Sequence, residues 1–191
     1  MNNGYDTLPF HGVYNEISNL VAVSDLDRVQ GQKIANRFGI EWYEDYRDML
    51  GMVDAVTVAV PTSLHRKVVN IISKEGVNIL VEKPATLNFA EIKDIKENYY
   101  NNKVFFVEAF MYSYHPQILK VIDLLKNNAI GKLLSMDTVF GKDVLTKKNF
   151  FGFKKRKKIN KEDRKYNKNL GGGAILDLGC YTVSFSTMIA S

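Results

Sequence analysis

The stretch NILVEKPATLN (78–88) puts a lysine where α/β proteins commonly do chemistry. NILVE is an apolar, β-favouring run closed by Glu82-Lys83-Pro84. Lys83 is therefore expected at the carboxyl edge of a sheet, where ligands of open parallel sheets bind. Proline in the next position fixes the backbone and removes a donor. On its own, the same triplet reads more readily as a surface lysine in a strand-to-helix turn. The second place is GGGAILDLGCY (171–181). Its glycines allow close backbone approach at a helix start, and Asp177 and Tyr181, four residues apart, share a helix face. By themselves they also read as a helix N-terminal carboxylate and a half-buried aromatic. Cys180 beside Tyr181 reads as a small buried thiol, since no histidine is placed to pair with it. Three histidines and scattered carboxylates show no metal-ligand spacing, so no metal is expected.

Positioning these residues takes alternating strands and helices. LVAVS (20–24) reads as a buried strand, with a helix from Asp27 to Phe38 and Gly39 at its C-cap. AVTVAV (55–60) has the β-branched run of a strand covered on both faces. A helix over 64–75 stopped by Gly76, the strand 78–82, a helix over about 88–99 and the strand 103–109 follow. Such alternation implies βαβ crossovers and a parallel sheet. After His115-Pro116 comes another helical pattern ending at Gly131. LLSMDTVFG (133–141) alternates loosely and could open a second sheet.

The single cysteine excludes an internal disulfide and fits a reducing cytoplasm. No run approaches the ~18 consecutive apolar residues of a membrane helix, and MNNGYD carries no secretory-signal pattern. The net charge of +5 comes from one place. Residues 154–168, KKRKKINKEDRKYNK, hold nine basic and two acidic residues, and outside them 17 basic residues face 19 acidic ones. That segment reads as a solvated loop, then as a contact for an anionic substrate, and last as a nucleic-acid site.

EKP, VPTSLH (60–65), VEAFMYSYHPQ (107–117) and GGGAILDLGCY stand in an order that resembles the Gfo/Idh/MocA family. The resemblance runs from about Leu20 to the last residue. It implies an NAD(P)-dependent oxidoreductase moving hydride between a nicotinamide and a secondary alcohol or ketone of a sugar, nucleotide-sugar, cyclitol or diol. Lys83 then matches the family lysine near the nicotinamide and the reacting hydroxyl, where an ammonium favours a developing alkoxide. Tyr181 matches the acid/base position, and a phenol needs a nearby cation to lower its pKa for work near neutrality. Asp177 would orient substrate or Lys83. Pro61 and His65 match the nicotinamide-side turn, and Glu82 the nicotinamide ribose. Glu108 and His115 fall where the substrate pocket is bordered. Ser113 stands where many relatives have arginine. Asp25, ending LVAVS, can accept hydrogen bonds from the adenosine ribose and repel a 2′-phosphate, which favours NAD over NADP. Arg28 is near enough in sequence to offset part of that repulsion. A homo-oligomer is implied for the full-length relatives.

A Rossmann phosphate loop should lie upstream of LVAVS. If His11 matches the family's first helix, the loop falls at residues 3–8, NGYDTL, with one glycine and an aspartate. The expected fold is therefore a Rossmann-like parallel sheet lacking its first strand and glycine loop, followed by the start of an α+β substrate domain. Residues 1–110 form the incomplete dinucleotide-binding domain and 111–191 the beginning of the second. The alternative is an inactive fragment or non-catalytic binding module that keeps the fold without the loop.

Overall fold

The structure, a computed structural model, describes residues 18–190 apart from 149, 151, 159 and 164. The NGYDTL segment and His11 lie outside the described residues. Two units divide at Asp54/Ala55.

In the first unit, β1 (Ala22–Ser24) and β2 (Glu41–Tyr43) are parallel, with Val23 opposite Trp42. Helix α1 (Arg28–Phe38) connects them. Its ends are set locally. The Asp27 carboxylate accepts from the N–H groups of Val29 and Gln30, and Gly39 takes the left-handed conformation at φ 66°. Gly31 lets Trp42 lie flush on the helix, since a Cβ there would sit 2.1 Å from the indole. Ala35, Met49 and Leu50 are buried in this unit. The strand β2 is not evident in the sequence; three residues are too few to show a period.

In the second unit, β3 (Ala55–Val58), β4 (Asn78–Glu82) and β5 (Phe106–Ala109) form a parallel sheet in that order. Helices α2 (Thr62–Lys74) and α3 (Phe89–Asn101) make the connections. Val69, Ile72, Val81 and Ile95 have almost no exposed surface. Each such side chain contributes roughly 1.5–3 kcal/mol by leaving water. β4 matches the sequence expectation residue for residue. The expected burial of both faces of β3 does not hold. Val56 and Val58 are buried while Ala55 and Thr57 are exposed, so only one face of β3 is covered among the described residues.

Beyond β5, a 3-10 turn (Met111–Tyr114) leads into α4 (Pro116–Lys126). The expected strand 133–141 is corrected: it joins no sheet among the described residues, having no strand partner there to satisfy a ladder. The described residues of the basic segment are loop and turn as expected, apart from an exposed strand at Lys154–Arg156. β6 (Thr146–Lys148) and β7 (Lys154–Arg156) form an antiparallel hairpin with Lys147 opposite Lys155. The chain then enters a π-helical turn (Ile175–Gly179) and α5 (Cys180–Ala190). Among the described residues, Lys168–Ala190 is long and apolar enough to cross a membrane by length and composition alone. A count of consecutive apolar residues misses this stretch because glycines and Asp177 interrupt it.

Candidate active site

β4 delivers Glu82 and, just beyond it, Lys83 at the carboxyl edge of the sheet. The Lys83 side chain is 15% exposed and its Nζ donates to two oxygens of one residue, the Asp177 carbonyl at 2.5 Å and Oδ1 at 3.2 Å. Those atoms come from the π-helical turn 94 residues further along the chain. Turns of this kind occur often at functional sites. Gly171 brings that segment in close, since a Cβ there would lie 2.8 Å from Leu87 and 3.0 Å from Thr62. Asp177 and Tyr181 both reach Lys83 from this one helical segment, whose shared face is what their four-residue spacing predicts.

They meet it differently, however. The ammonium sits over the Tyr181 ring, 4.8 Å from its centroid, as a cation–π contact rather than beside the hydroxyl. Phe110, Phe140 and Tyr112 pack around the same ring at 5.7, 5.0 and 6.1 Å. Burial, and then the neighbouring Cys180, Glu82 and Asp177, push the phenol's pKa up. The expected lowering by a cation is not found, because the charge faces the ring and not the oxygen. The Cys180 thiol is also pushed up by burial, which fits an inert small side chain. Tyr112 anchors α5 by donating to Ser184 Oγ at 2.7 Å. An open groove of about 470 Å³ runs beside this cluster, lined by Glu108, Phe110, Cys180, Val183, Ser184 and Met188 among others.

The remaining expected residues separate. His65 is 1% exposed. Its Nδ1 lies 3.1 Å from the Pro84 carbonyl and 3.2 Å from that of Ala85, and its Nε2 lies 2.8 Å from the Val60 carbonyl. The expectation that it faces a cofactor is corrected: burial leaves the ring no surface to offer. Glu108 lines the groove, but its Oε1 accepts the Ala85 N–H at 2.8 Å. Pro61 caps α2 in an exposed position. His115 is an exposed cap of α4, its Nδ1 accepting from the Gln117 N–H, and it is not part of the Lys83 cluster. In the first unit, Asp25 Oδ1 accepts the Asp27 N–H at 2.8 Å, its carbonyl accepts from Trp42 Nε1 at 3.1 Å, and Arg28 lies over the Trp42 ring. The aromatic shell of Tyr181 and the role of Trp42 were missed by sequence reasoning. Only their aromatic character was visible, since their partners lie far along the chain. Among the described residues, no group of histidine, cysteine and acidic side chains is arranged to hold a metal.

A parallel sheet with a lysine and acidic residues at its carboxyl edge defines a Rossmann-like α/β protein. The description "Oxidoreductase family, NAD-binding Rossmann fold" matches residues 3–110, and the chain belongs to this Gfo/Idh/MocA family. It is 31% identical to the trans-1,2-dihydrobenzene-1,2-diol dehydrogenase of Xenopus tropicalis, over 89% of this chain and 48% of that one. It is 27% identical to D-xylose 1-dehydrogenase (NADP(+)) 2 of Haloferax volcanii, over 85% of this chain and 47% of that one. The chain thus spans about half the length of the curated relatives it matches. A 3-ketoreductase from Actinomadura kijaniata, solved with NADP and TDP-benzene, shares the fold at TM-score 0.71 and 23% identity. That similarity covers 93% of this chain and 51% of that one.

Proposed function

We propose that this chain carries the nicotinamide-side half of an oxidoreductase acting on a secondary alcohol or ketone of a sugar, nucleotide-sugar, cyclitol or diol. The observation that carries the reading is the Lys83–Asp177–Tyr181 cluster at the carboxyl edge of the sheet. Family membership and the relatives' names for diol and sugar dehydrogenases support it. Residues 1–110 form the dinucleotide-binding domain in this reading, and 111–191 begin the substrate domain.

The donor set fits a nicotinamide dinucleotide. Asp25 offers an exposed carboxylate at the end of β1, which supports NAD over NADP. Pro61 and Glu82 stand at the corresponding turns of the second unit. A bound nicotinamide supplies the hydride acceptor or donor. Lys83 lowers the cost of negative charge on the reacting oxygen, and Asp177 fixes the ammonium. Tyr181, its pKa raised, keeps its proton at neutrality and offers that oxygen a hydrogen bond. Glu108 and His115 border the substrate side. Anionic substrates, a homo-oligomeric full-length protein and a cytoplasmic location complete the reading, with neither nucleic acid nor membrane as a partner.

Titration of the chain with NADH and then NADPH, followed by nicotinamide fluorescence, tests this directly. Saturable binding, tighter for NADH, is expected. No binding of either nucleotide would overturn the reading in favour of a non-catalytic module, the alternative that the single glycine of NGYDTL supports.

A further inference from the structure

Between Pro84 and Ala85 the backbone offers three polar groups, two carbonyls and one N–H, because proline has no N–H. All three are taken up by side chains from other elements. Both carbonyls face His65 Nδ1, and the Ala85 N–H donates to Glu108 Oε1. The His65 ring also faces the Val60 carbonyl just past β3, so it spans two turns at the same edge of the sheet. Carbonyl oxygens only accept and a neutral imidazole carries one N–H, so the Nδ1–H tautomer is the one that holds the Pro84–Ala85 turn, and the Nε2–H tautomer would hold the Val60 carbonyl instead.

We propose that His65 and Glu108 are positioning residues, which hold the turn after Lys83 by its carbonyls and its N–H and thereby set where the ammonium stands. This rests on the reading of Lys83 as the working cation. A lysine stem has four rotatable bonds and large rotamer freedom. Its head reaches Asp177 and the Tyr181 ring in one geometry only when the backbone behind it is fixed. A buried imidazole and a carboxylate on the neighbouring strand fix it from within one unit.

The spectroscopic signature is the ring current of Tyr181. In protein grown on 13C-lysine, the ε-CH2 of Lys83 is expected upfield of the other lysines, identified by its loss in Lys83→Arg. His65→Asn keeps a donor near the Nδ1 position and should retain the upfield shift. His65→Gln keeps a donor only near Nε2 and should lose it. Glu108→Gln, still an acceptor, should retain the shift, and Glu108→Val should lose it. An unmoved Lys83 signal in folded His65→Gln and Glu108→Val overturns the proposal. So does equal loss in His65→Asn and His65→Gln, which would mark the ring as mere packing. Should His65→Gln fail to fold, Glu108→Val decides. NADH titration of the wild-type chain bears on the functional reading alone, whereas the lysine signal reports on the turn even where no nucleotide binds.

Discussion

Two strand ends carry the chemistry proposed for this chain, and they are built in opposite ways. At the end of β1, Asp25 spends its carboxylate on the N–H of Asp27, two residues away, at an exposed corner. Just past β4, Lys83 finds its partner 94 residues later, and the turn behind it is held by a ring that is 1% exposed. Local hydrogen bonds at an exposed corner are replaceable by water, so substitution there acts mainly on what binds. Buried bonds between distant segments have no such substitute, so substitution there acts on the fold and on the working cation together.

Breaking the contrast at its strong end gives the largest effect. Lys83→Met is expected to reduce hydride transfer by about 10²–10³-fold, the usual loss for removing one donor to a developing oxyanion. Nucleotide binding should barely change, and steady-state assay beside NADH titration checks both. His65→Leu leaves buried carbonyls unpaired and should cost roughly 2–4 kcal/mol in urea unfolding. At the Asp25 corner the effect moves from stability to selectivity. Asp25→Ala should shift the NADH-to-NADPH affinity ratio toward NADPH by about tenfold, or ~1.4 kcal/mol, with little change in unfolding. A loss of stability as large as that of His65→Leu would erase the comparison. Asp27→Ala, which removes the cap of α1, should cost about 1 kcal/mol.

The smallest expected effect is a pH dependence. The Tyr181 pKa is raised in the folded chain, so the native state keeps a proton that the unfolded chain loses near pH 10. Its contribution to stability is fully present below that pH and fades as pH rises through the folded value. Tyr181→Phe should therefore flatten the alkaline end of the stability curve. Denaturation midpoints measured above and below pH 10 would show it.

Much of the fold was legible because its causes are local. Asp27 and Gly39 bracket α1 by capping chemistry that needs only near neighbours. NILVE is a strand because its apolar residues suit a buried sheet, and the chain pairs it with both β3 and β5. Of the three-residue strands, β1 was legible within the apolar run LVAVS and the others were not. β2 and the β6–β7 hairpin have three residues per strand, and 133–141 alternates without a partner to pair with. A strand is made by its neighbour, which the local sequence does not contain.

The candidate site divides along the same line. By itself the sequence determined that a lysine would stand past the central strand. It also determined that an acidic residue would end β1, and that Asp177 and Tyr181 would travel together. Only the tertiary structure decided that Lys83 meets the face of Tyr181 rather than its hydroxyl, which leaves the phenol protonated. It likewise set the side chains of His65 and Glu108 against the backbone of the turn after Lys83, with Glu108 also lining the groove. The physical reason is that residue type and spacing fix which groups a short segment can present. Direction, burial and partner are fixed only when segments far apart in the chain pack against one another.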